Sequence, residues 1–439
     1  MGEAPGKLLD AANYAPLFDS CFEHCRHIVL AVSGGADSMA MMHLVTAWRT
    51  LRGTAVPSLS VVTVDHGLRP ESAAEARFVA AAAGELGLPH STLIWTGPKP
   101  ASGIQAAARD ARYGLISEHL AANRWQTVAT AHTRDDQAET LLMRLARGSG
   151  VDGLAGMRES KLLGAMLIVR PMLAFSKDSL IATLKALGVS WVEDPSNDNA
   201  DFERVRIRQL RSTFENAGLT NAQIALSAHR IGRARHALDV YAGDTVAARP
   251  DKFHFDSLGY ARISWSFLTC LPEEIRLKIL SRTIASIGAS AEPVPLSRLE
   301  AMTEGAQWQR PIGRTLGGAV FSPGKEPDGI IITREYGRRP LPVMDLKPGQ
   351  MVEWDQRYTV LVSSDLDVRL RVCALGAQGL SALKREGFAR PQHPARALRT
   401  IPAFWEGERL AAVPLLDYSV PGLDLSKLWC RFTSWPFPS

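Results

Sequence analysis

The chain has 439 residues, 46% of them hydrophobic and 22% charged, with a formal net charge of +5. This is the composition of a globular protein too long for one core, so two or three domains are expected. No apolar run is long enough to span a bilayer and residues 1–14 lack the apolar segment of a secretory leader, which sets the expectation of a cytoplasmic protein. Five scattered cysteines (Cys21, Cys25, Cys270, Cys373 and Cys430) fit reduced thiols. Cys21 and Cys25 stand one helical turn apart, but no second pair completes a metal site. The charge is uneven. Residues 1–200 hold 18 Lys+Arg against 20 Asp+Glu, net −2, and residues 201–439 hold the remaining 32 against 25, net +7. A basic second half suits a polyanionic partner, but ordinary surface charge is the simpler account of it.

Residues 27–32 and 59–65 are near-continuous apolar runs and read as buried strands, with weaker strands at 90–95 and 127–131. Helical patterns lie between and after them at 37–50, 71–87, 103–123 and 135–147. This alternation predicts an α/β fold with a doubly wound parallel sheet, whose ligand site lies beyond the C-terminal ends of the strands. A glycine-rich break follows at 147–157. Beyond it we expect a turn, a helix capped by Ser176, a short strand, a polar loop and a long helix beginning near Asp201. Residues 215–330 read as mixed but mainly helical, with a long helix at 219–242. Prolines near 340 resemble a linker, and the last hundred residues read as β-rich with a short helix. The expected domains are therefore 1–215, 216–335 and 336–439.

The informative residues fall at strand ends. Ser33, Gly34, Gly35, Ala36, Asp37 and Ser38 lie between a strand and a helix. Glycines let backbone amides approach a phosphate, the helix N-terminus adds a positive dipole end, and the two hydroxyls can donate. Asp37 repels phosphate, which points to a bridging Mg²⁺ or a second reactant. A tight helix-capping turn explains the same residues. Neither the GxxxxGK[ST] nor the GxGxxG pattern is present. Asp65, His66 and the stretch from His132 to Asp136 occupy other strand ends.

The SGGADS loop resembles that of the N-type ATP pyrophosphatases, the PP-loop superfamily. Within it, "AHTRDDQAETLLMRLARGSGVDGLAGM", "RPMLAF" and "WVEDPSNDNADFERVRIR" are similar to motifs of the tRNA(Ile)-lysidine synthases. The likeness is strong over 27–211 and weaker at 314–321, 332–335 and 401–414. It implies an ATP-dependent ligase. The C2 carbonyl of the wobble cytidine of a CAU-anticodon isoleucine tRNA is adenylated, and the ε-amine of free lysine displaces AMP. The implied cofactors are ATP and Mg²⁺, with no membrane and no obligatory protein partner. The implied catalytic residues are Asp37 and Asp136, with His132, Arg109 and Arg112. Ser33 to Ser38 would hold ATP, and Asp37 and Asp136 are the candidate Mg²⁺ ligands.

Arg109 and Arg112 are three apart on one helix, able to clamp a triphosphate or a lysine carboxylate, or simply to face solvent. Asp135 suits an N-cap, and Glu139 shares a helix face with Asp136. Arg204, Arg208 and Arg211 form a stripe suited to a tRNA backbone. Val205 stands where the family carries asparagine. Trp405 is suited to base stacking or to a core. A related tRNA thiolase would be expected to carry catalytic cysteines, and this chain has no CxxC. A small-molecule adenylating ligase would not need the basic second half. A non-catalytic RNA-binding protein would not need Ser33, Asp37 and Asp136 intact.

Overall fold

The structure, a computed structural model, describes residues 6–53, 56–97, 99–100, 102–193, 203–290, 294–303, 310–338, 340–366, 368–388 and 392–437. The polar stretch 194–202, including the helix start expected near Asp201, lies outside the described residues. The chain divides into two compact units, Met1–Arg235 and His236–Ser439.

The first unit alternates as α1 Ala11–Phe22, β1 His27–Ala31, α2 Ala36–Arg52, β2 Ser58–Asp65, α3 Ser72–Glu85, β3 His90–Ile94, α4 Ile104–Ala122, β4 Thr127–Thr130 and α5 Arg134–Ala146. A short α6 Val151–Leu154, the hairpin β5 Ser160–Leu163 and β6 Met166–Val169, α7 Lys177–Ala186, α8 Glu203–Gln209 and α9 Arg211–Asn216 follow. Sheet order is β3-β2-β1-β4-β6-β5, parallel except for β5. Successive β1 side chains enter opposite layers because strand side chains alternate. Ile28 and Leu30 join Phe18, Trp48 and Leu180 from α1, α2 and α7. Val29 joins Ile116 and Leu120 of α4. Helices cover both faces, so the strand is apolar throughout. Because β1 is flanked by β2 on one side and β4 on the other, the topological switch point falls between β1 and β4.

Among the described residues of the first unit, three elements differ from the sequence reading. Residues 160–169 form a hairpin that periodicity does not reveal, since each of its strands is only four residues long. The segment after α7 is not a strand; Val192 N–H donates to the Gly34 carbonyl instead. The expected long helix breaks at Leu210 into α8 and α9.

The helix α10, Asn221–Ala247, is longer than its sequence signal and contains the division between the units. The second unit opens with β7 Phe253–Asp256, β8 Tyr260–Ser264, α11 Trp265–Thr269, α12 Glu273–Gly288, α13 Leu296–Thr303, β9 Thr315–Leu316, β10 Ala319–Pro323 and β11 Gly329–Arg334. The five strands form an antiparallel sheet in the order β7-β8-β11-β10-β9, within a region whose sequence reads as mainly helical. Two further antiparallel sheets, built from strands between Met344 and Phe432, share one core containing Trp354, Tyr358, Phe404 and Trp405. The proline-rich stretch near 340 is pinned to this core, because Trp354 Nε1 donates to the Pro342 carbonyl at 3.0 Å. Trp405 is 4% exposed, which makes it a core residue rather than a stacking platform.

Candidate active site

Residues 33–38 leave β1 and enter α2 at the switch point. Gly34 has φ +90°, a left-handed conformation that a side chain disfavours. Gly35 stands at the N-cap and no side chain caps the helix there. The first amides of α2 therefore face the loop without a competing side-chain acceptor. Ser38 Oγ fixes the turn, donating to the Gly35 carbonyl at 2.9 Å and accepting from Ser33 N–H at 3.1 Å. The exposed Ser33 hydroxyl lies 3.3 Å from Ser38 Oγ.

An acidic cavity adjoins the loop. It encloses about 50 Å³ and is lined by Asp37, Asp135, Asp136 and Glu139 together with Lys177 and Arg208, among others. That volume holds a few water molecules or an ammonium head, not a nucleotide. Asp37 Oδ1 is buried without a hydrogen-bond partner. Burial, opposed by Lys177 and reinforced by Asp136 and Asp135, pushes the Asp37 carboxyl up to about 6. Asp136 is the N3 residue of a capping box: its Oδ2 accepts from Thr133 N–H at 2.8 Å and Thr133 Oγ1 at 3.0 Å. Oδ1 faces Arg204 Nη1 at 3.7 Å. The cap of α5 is thus Thr133, correcting the expectation for Asp135. Asp135 instead holds the start of α7, accepting from Lys177 N–H at 2.8 Å, and accepts from Asn221 Nδ2 at 2.7 Å.

The arginine stripe turns onto these acids. Arg208 Nε donates to Glu139 Oε1 at 2.8 Å, and Arg204 Nε lies 3.4 Å from Glu139 Oε2. Arg211 is not on the same helix; it meets Glu215 and Asp178 at 2.9 Å each and Asp135 at 3.7 Å. The structure therefore corrects the picture of a free stripe.

Helix α4 carries Arg109 and Arg112. Arg112 Nη2 lies 3.2 Å from His66 Nε2, and Arg109 stacks over the Tyr113 ring at 5.2 Å. Burial and the neighbouring Arg112 push His66 down to about 4. His132, with Nδ1 2.9 Å from Thr130 Oγ1, is likewise held down near 4, chiefly by burial. Both imidazoles are neutral at physiological pH, and His132 lies within electrostatic reach of both Asp136 and Arg109.

The sequence reading missed Lys177 and Asn221. A lysine in the first turn of a helix opposes the helix dipole, and that local conflict was a usable signal for Lys177. Asn221 carries no comparable signal.

A phosphate-binding loop at the switch point of a doubly wound sheet, flanked by acids and arginines, defines an ATP-using PP-loop protein. Residues 9–212 match the PP-loop domain family. The chain is 38% identical to a tRNA(Ile)-lysidine synthase of Ruegeria pomeroyi, over 89% of this chain and 88% of that one. It is 41% identical to the enzyme of that name from a Bradyrhizobium strain, over 74% and 93%, and 33% identical to that of Wolbachia pipientis, over 93% of both. The chain belongs to the tRNA(Ile)-lysidine synthase family. No described helix is long and apolar enough to cross a membrane.

Proposed function

We propose that this ATP-dependent ligase joins free lysine to C2 of the wobble cytidine of a CAU-anticodon tRNA(Ile) at the junction of the acidic cavity and the loop. The observation that carries the reading is an acidic cavity, sized for an ammonium head, that includes Asp37 of the Ser33–Ser38 loop, while α4 carries Arg109 and Arg112, the latter against His66 just beyond β2.

The reaction needs charge of both signs. In the first step the cytidine O2 bonds to the α-phosphorus and the bond to pyrophosphate breaks. The loop amides, Ser33 and Ser38 would hold the departing pyrophosphate, and Arg109 and Arg112 would offset its charge. In the second step the lysine nitrogen bonds to C2 and the C2–O bond breaks, releasing AMP. The attacking amine must shed protons, and this reading gives that role to Asp37 and Asp136. Nearby, neutral His132 can hydrogen-bond the nucleotide without adding charge.

Among the described residues, no cluster of three His, Cys, Asp or Glu side chains is arranged to hold a metal. Mg²⁺ takes one or two carboxylates plus substrate phosphates, and the unpartnered Asp37 Oδ1 is a donor of that kind, so the residues fit. Asp37 and Asp136 would hold the ion, which would supply charge neutralisation at the phosphates.

For the tRNA backbone, Arg204 is the most exposed of the three, its side chain 42% exposed although it also faces Glu139 and Asp136. Arg208 and Arg211 stay engaged by carboxylates. In the second unit, a groove of about 400 Å³ presents the exposed Arg396, Arg399 and Tyr336, a surface suited to phosphates.

The test is lysine incorporation with Mg-ATP, radiolabelled lysine and a CAU-anticodon isoleucine transcript, with a methionine tRNA as control. Label confined to the isoleucine transcript and lost with Asp37→Ala supports the reading. Pyrophosphate release without label would mean that the loop activates another acceptor.

A further inference from the structure

We infer that Arg170, assigned no role above, is a further residue of the adenylation step, a buried guanidinium that acts as a fixed positive charge on the nucleotide phosphates. The inference rests on the ATP-dependent reading just given.

Arg170 is the first residue after β6, at the C-terminal end of an interior strand of the sheet that carries the loop and His132. Val169 pairs with Ala129 of β4. Thr130 Oγ1 lies 3.4 Å from the Val169 carbonyl and 2.9 Å from His132 Nδ1, tying this strand end to the imidazole. The arginine backbone is anchored, its N–H donating to the Glu159 carbonyl at 2.8 Å.

The side chain is what needs explaining. Arg170 is only 6% exposed. Nη1 donates to the Arg158 carbonyl at 2.8 Å, and Nε is buried with no partner. No carboxylate forms an ion pair with it among the described residues. Two other arginines buried to a similar depth, Arg357 and Arg334, share Asp355. Taking a cation out of water without a counter-charge is strongly unfavourable, so an unpaired buried arginine implies an anion supplied from outside the chain.

The surroundings say which anion. Arg170 lies within electrostatic reach of Tyr113, Arg109 and His132. Arg109 adds a second positive charge there and the neutral His132 adds none, while Asp135, Asp136 and Glu139 already face Arg211, Arg204 and Arg208. On the ATP-dependent reading, the anion that the reaction brings to these strand ends is the ATP triphosphate. As the cytidine oxygen attacks, negative charge gathers on the phosphoryl and leaving-group oxygens. A charge already fixed by burial stabilises it without reorganisation.

The test compares Arg170→Gln and Arg170→Lys in the full-length protein with Mg-ATP, lysine and tRNA(Ile). Glutamine keeps an N–H donor for the Arg158 carbonyl and removes the charge; lysine keeps the charge without the fork. Pyrophosphate release with Arg170→Gln should fall roughly 10²- to 10³-fold in kcat, with KM for lysine unchanged. Arg170→Lys should recover at least about tenfold of that loss. Melting midpoints are measured in parallel. If glutamine lowers the midpoint, the lysine variant decides, because only a charge role restores activity there. Near-parental kcat with Arg170→Gln, or equal loss in both variants, would overturn the inference. A parent protein with no pyrophosphate release dependent on ATP and tRNA would instead overturn the functional reading and leave Arg170 unjudged by that assay; binding of Mg-ATP alone, weaker in Arg170→Gln than in Arg170→Lys, then supports the charge role, and equal binding sinks it.

Discussion

Arg208 Nε donates to Glu139 Oε1 at 2.8 Å, and this one bond turns a helix that looks made for a polyanion inward onto the cavity. Glu139 is 5% exposed and also faces Arg204, so it neutralises two guanidiniums at once. Burial still pushes its carboxyl up, and the Arg208 hydrogen bond opposes that.

Breaking the pair should cost stability. Glu139→Gln is expected to lower unfolding free energy by about 1–3 kcal/mol, less than a fully buried pair because Arg208 remains partly solvated. A double-mutant cycle with Arg208→Met, read by urea denaturation, checks it. A coupling energy near zero would show that the contact is not a stabilising one.

Asp37 makes a prediction in the opposite direction. Its folded pKa, near 6, lies above the ordinary 3.8. The folded state therefore holds the proton more tightly, and stability falls as pH rises from about 4 through about 6. Asp37→Asn removes the penalty. The variant should be inactive in lysine transfer yet more stable by about 1–3 kcal/mol at pH 7.5, the advantage vanishing by about pH 4. Urea midpoints at the two pH values decide the matter, and a gain of equal size at both would refute the assignment.

Trp405 separates packing from recognition. Trp405→Ala should cost about 3–5 kcal/mol, as expected for a large buried aromatic. The KM for tRNA of the folded fraction should not change. A stable variant with weakened tRNA binding would return this residue to the RNA surface.

Arg396 and Arg399 offer the complementary case. Both are exposed on the groove of the second unit. Replacing either with alanine should weaken tRNA binding across sequences and reduce the salt dependence by about one ion. Filter binding between about 50 and 200 mM salt measures this. Unchanged slopes would place the RNA backbone elsewhere.

Much of the first unit was legible from residue order. Apolar runs at 27–32 and 59–65 marked the central strands, because a sheet covered on both faces needs apolar residues at every position. Two glycines before a helix marked the loop, because only the backbone can form that cradle. Local signals of this kind survive in any tertiary context. The hairpin at 160–169 and the five-stranded sheet of the second unit were not legible, since their strands are two to six residues long and packing outweighs propensity over such lengths.

The sequence by itself thus determined the catalytic family, the parallel sheet and the strand ends that carry Ser33–Ser38, Asp37, His132 and Asp136. Tertiary structure alone decided where the long side chains go. It paired Arg204 and Arg208 with Glu139, placed Asp135 on the start of α7, brought Lys177 beside Asp37, and left Arg170 buried without a carboxylate. Sequence spacing fixes which face of a helix a residue occupies. The charges across from that face come from segments tens of residues away, and only folding brings them within hydrogen-bond range.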